Sequence, residues 1–158
     1  MMKILIALDY DPSAQKIAEE GYALGKAMGA EVTLLHVVSD PVYYATRSYT
    51  PIMGFDGYLD MSPRDIESID ALVEASYQYL EKTKKFLGDE SIRTRVAEGD
   101  PAEAILKISR ESRFDLVVMG PHNQKWLEKI VMGSVTEKVL RNSAIPLFII
   151  PAANKQDL

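Results

Sequence analysis

A chain of 158 residues suits one domain with a single core, and 47% hydrophobic with 26% charged residues is the make-up of a folded globular protein. It has no cysteine and two histidines. That excludes thiol chemistry, disulfides and Cys-based zinc or iron–sulfur centres, and leaves little material for a multi-His metal site. A formal charge of -5 gives no electrostatic footprint for nucleic acid.

The run MKILIALD, Met2 to Asp9, is almost continuously apolar and predicts a strand buried on both faces. It is too short for a signal-peptide core with a cleavage site and far too short to span a bilayer. The expectation is a cytoplasmic protein with no membrane partner. Ala14, Ile17, Ala18, Gly21, Leu24, Gly25 and Met28 then recur at spacings of three and four, which predicts an amphipathic helix. Ser13 suits its cap and Gly29 its end. EVTLLHVV, Glu31 to Val38, predicts the second buried strand, in which His36 reads as a hydrogen-bonded core histidine.

The segment 39–62 breaks the rhythm with Pro41, Pro51, Gly54 and Gly57. It gathers Tyr43, Tyr44, Tyr49, Phe55 and Tyr58. Two readings stay open: a loop covering the end of the sheet, or a lid or partner surface. From Pro63 to Gly88 the pattern predicts a long helix with Ile66, Ile69, Val73, Tyr77, Leu80 and Leu87 as its apolar face.

Ile92, Thr94 and Val96 alternate in SIRTRVAEG, predicting a third, more peripheral strand. DPAEAILKISRES reads as a short helix with Asp100 as cap and Pro101 at its first position. FDLVVMG is a fourth buried strand ending at Gly120. SVTEKVLRNS is a helix opened by Ser134, and IPLFIIP is a fifth strand closed by Pro151. Residues 1–151 form the expected single domain, followed by a frayed tail, 152–158.

Strands alternating with helices imply a parallel sheet covered on both faces. The expected fold class is α/β: a doubly wound, Rossmann-like, five-stranded parallel sheet. Right-handed crossovers leave few orders, and the expected one is 3-2-1-4-5, in which strands one and four are neighbours. In that order the ligand crevice falls between strands one and four, beyond Asp9 and Gly120.

The stretch GPHNQKWLEKIVMGS, Gly120 to Ser134, joins strand four to the last helix. A glycine before a helix start lets an anion reach unpaired N–H groups. His122, Lys125 and Lys129 would add charge or hydrogen bonds. The structural alternative is a capping box, SVTE, in which Ser134 and Glu137 satisfy backbone donors reciprocally. Neither a P-loop nor G-x-G-x-x-G is present, and the residues by themselves favour the structural alternative.

The ordering KILIALD…LLHVV…DLVVMGPHN…MGSVTEKVLRNSAIPLFIIP resembles the universal stress protein family, over Lys3 to Pro151 and with no match across 42–61. ATP-binding members carry G-x-x-G-x9-G-[ST]. Here Gly120, Gly133 and Ser134 keep the spacing and Asn123 stands at the second glycine. Asn tolerates positive φ better than other side chains, so the turn survives, with reduced or altered binding as the expectation.

The resemblance implies an adenine-nucleotide site. Asp9 would accept bonds from ribose hydroxyls. Ala7, Val37 and Met119 would line the adenine pocket, and Gly120 would sit beside the ribose. His122, Asn123, Gly133, Ser134, Val135 and Thr136 would surround the phosphates, largely through backbone N–H groups. The implied cofactor is ATP, with magnesium as an optional companion, and the implied assembly is a homodimer through 145–150. A strand with such large apolar residues is a poor free edge, which agrees.

The leading expectation is an ATP-binding stress-response regulator with an unidentified protein partner and no enzymatic role. No nucleophile–base pair, Walker lysine or arginine finger stands out, and slow hydrolysis is left open. One alternative is a dimeric interaction protein on the same fold without nucleotide, favoured by Asn123. Another is an adenylyl-transfer enzyme, which would need a further motif.

Overall fold

The computed structural model describes residues 1–9, 13–39, 69–121 and 133–151. Readings that fall on 40–62, on Pro63 and Ile66, on His122, Asn123, Lys125 and Lys129, or on the tail 152–158 lie outside the described residues.

In chain order the elements are β1 (Lys3–Ala7), α1 (Ala14–Ala27), β2 (Glu31–Val38), α2 (Ile69–Leu87), β3 (Arg93–Glu98), α3 (Pro101–Glu111), β4 (Leu116–Met119), α4 (Ser134–Asn142) and β5 (Leu147–Ile149). All strand pairs are parallel, and the sheet order is β3-β2-β1-β4-β5. The expected order is therefore observed.

Successive side chains of a strand point to opposite faces, and the core divides accordingly. Ile4, Ile6 and Leu8 join Ile17, Ala18, Tyr79 and Leu80 beneath α1 and α2. Leu5 and Ala7 join Ile105, Ile108 and Val139 beneath α3 and α4. Burial on both faces is why β1, β2 and β4 read as continuous apolar runs. β3, at one edge, is only half-buried along its centre.

Three local expectations are corrected. Ser13 stands at the start of α1 with helical backbone, φ -75 and ψ -9, and its side chain makes no capping bond. Gly29 does end the helix in the left-handed region, with φ 63.

The buried face of α2 is also different. It is Leu72, Ala75, Ser76, Tyr79, Leu80 and Thr83, while Ile69 and Tyr77 are exposed. Ser76 and Thr83 are tolerated there because their hydroxyls donate to the Leu72 and Tyr79 carbonyls, at 2.7 and 2.8 Å. The third correction concerns the start of α4.

Candidate functional site

The crevice forms where β1 and β4 lie side by side and their chains depart to helices on opposite faces. At the β1 exit the ladder runs one residue past the strand, with the Leu8 N–H donating to Leu35 O at 2.8 Å. The next two carbonyls are held by side chains. His36 Nδ1 bonds Leu8 O at 2.8 Å, and the Tyr79 hydroxyl donates to Asp9 O at 3.3 Å. His36 is the hydrogen-bonded core histidine expected. Tyr79 was not anticipated, and nothing in the local sequence marks it, because the contact exists only once α2 packs on the sheet.

At the β4 exit three bonds draw the chain together. The Ile150 N–H donates to Met119 O at 2.9 Å, the Thr136 hydroxyl to Gly120 O at 2.9 Å and the Gly133 N–H to Pro121 O at 2.7 Å. The start of α4 is thereby fixed directly beside the end of β4. The N-cap residue is Gly133, extended at φ -66 and ψ 161, and Ser134 is the first helical residue.

The capping box is therefore absent, and Glu137 instead pairs with Arg141 at 2.7 Å. Thr136 is fully buried and its hydroxyl is committed to Gly120, so it is not a hydroxyl donor for a ligand. The first intrahelical bond is Glu137 N–H to Gly133 O, at 3.0 Å. The N–H groups of Ser134, Val135 and Thr136 precede it and carry the positive end of the helix dipole. An anion is the species such an array receives.

Gly120 has a different reason from the one its place in the motif suggests. A Cβ there would lie 2.3 Å from Ile17 Cδ1, so the glycine lets α1 pack closely with Ile17 in its present position. Ala7, Val37 and Met119 do come together, all buried in the α3–α4 side of the core. Asp9 is half-buried at the β1 exit.

Among the described residues, charge around the start of α4 is largely paired. Lys138 bridges to Glu103 at 3.3 Å and to Asp100 at 3.4 Å. The bond to Glu103, with the nearby Asp100 charge, raises the lysine's pKa above its ordinary value. An open groove of about 350 Å³ runs along β3 and α3 between Arg95, Gly99, Asp100 and Lys107, away from the β1–β4 crevice.

The family model described as "Universal stress protein family" matches residues 1–151. Universal stress protein MJ0577 of Methanocaldococcus jannaschii is 29% identical over 156 residues, covering 96% of each chain. A solved structure of MJ0577 superposes with a TM-score of 0.69 at 26% identity, covering 98% of both chains. A universal stress protein in complex with cAMP gives 0.61 at 17% identity, over 96% of this chain and 98% of that one. The universal stress protein of Archaeoglobus fulgidus in complex with dAMP gives 0.57 at 18% identity, over 95% and 98%.

Proposed function

The chain belongs to the universal stress protein family, and from that premise we propose that it binds an adenine nucleotide, ATP foremost, in the crevice beyond β1 and β4. One observation carries the reading. Thr136 and Gly133 bind the Gly120 and Pro121 carbonyls, and so present the first-turn N–H groups of α4 at the exit of β4. That is a donor array for phosphate at the place where a doubly wound sheet takes ligands. The cAMP and dAMP complexes of two fold relatives support the adenine part.

In this reading Ser134, Val135 and Thr136 donate backbone N–H groups to phosphate oxygens. Gly133 shapes the approach. Asp9 accepts from the ribose, while Ala7, Val37 and Met119 form the floor nearest the base. His122 and Asn123 complete the phosphate side by their place in the motif. Magnesium would neutralise phosphate charge.

The protein acts as a cytoplasmic stress-response regulator that binds nucleotide without rapid turnover, and as a homodimer paired through β5. Mass spectrometry of the denatured, purified protein is expected to release ATP or ADP, and calorimetry to show heat on adding ATP–Mg. An empty protein with no heat would sink the proposal.

A second reading is a dimeric interaction protein that uses the same fold without nucleotide. The observation favouring it is the packing of Ala7, Val37 and Met119, which are 4%, 8% and 0% exposed. The same calorimetry separates the two.

A further inference from the structure

We infer that His36 and Tyr79 are positioning residues for Asp9, clamping the exit of β1 so that the Asp9 carboxylate meets the ribose hydroxyls; the role in binding rests on the nucleotide reading above.

The clamp is built from elements distant in sequence. The β1–β2 ladder reaches Leu8 N–H, which donates to Leu35 O at 2.8 Å. Leu8 and Asp9 end the described part of this exit, and backbone at a strand exit would ordinarily find its partners in water. Here Leu8 O is taken by His36 Nδ1 at 2.8 Å, from β2, and Asp9 O by the Tyr79 hydroxyl at 3.3 Å, from α2.

A carbonyl only accepts, so His36 Nδ1 carries the proton. His36 is 1% exposed and Tyr79 0% exposed, and their rings meet edge to face at 6.3 Å between centroids and 85° between planes. Each ring braces the other, so neither donor can swing away without disturbing the core. The two carbonyls belong to the peptide groups on either side of the Asp9 α-carbon, and holding both fixes the direction in which the Asp9 side chain leaves the backbone. A carboxylate that must meet two ribose hydroxyls gains from that pre-set direction, because less ordering is left for the ligand to impose.

The test compares two nucleotides on the full chain by calorimetry. Tyr79→Phe keeps the ring in the core and removes only the donor. It is expected to weaken ATP about two- to tenfold, the worth of one hydrogen bond. It should leave 2′,3′-dideoxy-ATP, which offers Asp9 no ribose hydroxyl, at wild-type affinity. His36→Leu is expected to behave alike, and His36→Asn, whose amide N–H replaces the Nδ1 donor, to restore ATP affinity.

Equal weakening of both nucleotides, or of neither, overturns the positioning role. A nucleotide-free measurement reads the clamp itself. The carbonyl carbon resonances of Leu8 and Asp9 are expected to shift in His36→Leu and Tyr79→Phe respectively, and unchanged resonances overturn the clamp even if ATP binds. Wild-type protein that binds neither nucleotide, with those shifts present in the two variants, sinks the nucleotide reading and the positioning role while the clamp stands.

Discussion

A methyl group at position 120 would have to displace the Ile17 side chain. Its carbon would stand 2.3 Å from Ile17 Cδ1 and 3.3 Å from Cγ1, inside a packed core. Gly120→Ala is therefore expected to lower unfolding free energy by about 1–3 kcal/mol, measured by urea titration. Ile17→Val removes the clashing Cδ1 and should recover part of that loss in the double variant, so strictly additive effects would refute the steric account.

A second residue-scale prediction concerns Asp89. Bonds from the Ser91 hydroxyl and N–H, then the Tyr22 hydroxyl, hold its carboxyl below the ordinary range. A depressed folded pKa gives stability that is complete above the unfolded value, about 3.9, and is lost as pH falls through the folded one. Thermal melting across pH 5 to 2 is expected to show a shallower acid decline in Asp89→Asn than in the wild type; identical declines would refute it. At this scale the sequence marked Gly120 as special because a glycine follows an apolar run. The partner that the glycine accommodates, Ile17, is chosen by the fold and leaves no trace near position 120. Thr136 is a similar case, since its hydroxyl is spent on a carbonyl that only tertiary structure brings near.

Two helix starts show how far elements could be read. DPAE marks α3 correctly, since Asp100 accepts from the Glu103 N–H at 2.9 Å with Pro101 at the first position. SVTE has the same kind of signal and is off by one residue. There the tertiary bonds of Gly133 to Pro121 and Thr136 to Gly120 decide where the helix begins. The contrast is measurable. Asp100→Ala is expected to cost about 1 kcal/mol of stability. Ser134→Ala, at a position that caps nothing, should stay within about 0.5 kcal/mol. Equal losses would restore the capping box. The face of α2 was misread for another physical reason. Its buried side includes Ser76 and Thr83, which satisfy themselves on their own helix, while the exposed side carries Ile69 and Tyr77. Hydrophobic periodicity reports the wrong stripe when polar groups are buried in this way.

The sheet order was legible for the whole molecule because alternating strands and helices with right-handed crossovers leave few arrangements, and the family resemblance selects among them. That order leaves β5 as an edge, paired with β4 alone among the described residues. Phe148 at its centre is 49% exposed, flanked by half-buried Leu147 and Ile149. An apolar strand edge in water invites pairing, and pairing with the same edge of a second copy satisfies both strands by one two-fold operation. The wild-type chain is accordingly expected to sediment as a dimer at micromolar concentration. Phe148→Lys places a like charge near the proposed two-fold axis and blunts the edge, so it should shift the protein to monomer while the far-ultraviolet circular dichroism stays unchanged. ATP affinity then separates two roles for the interface: it is expected to persist in the monomer, because every described residue of the crevice comes from one chain. A wild-type monomer, or a Phe148→Lys variant that remains dimeric, would place the interface elsewhere.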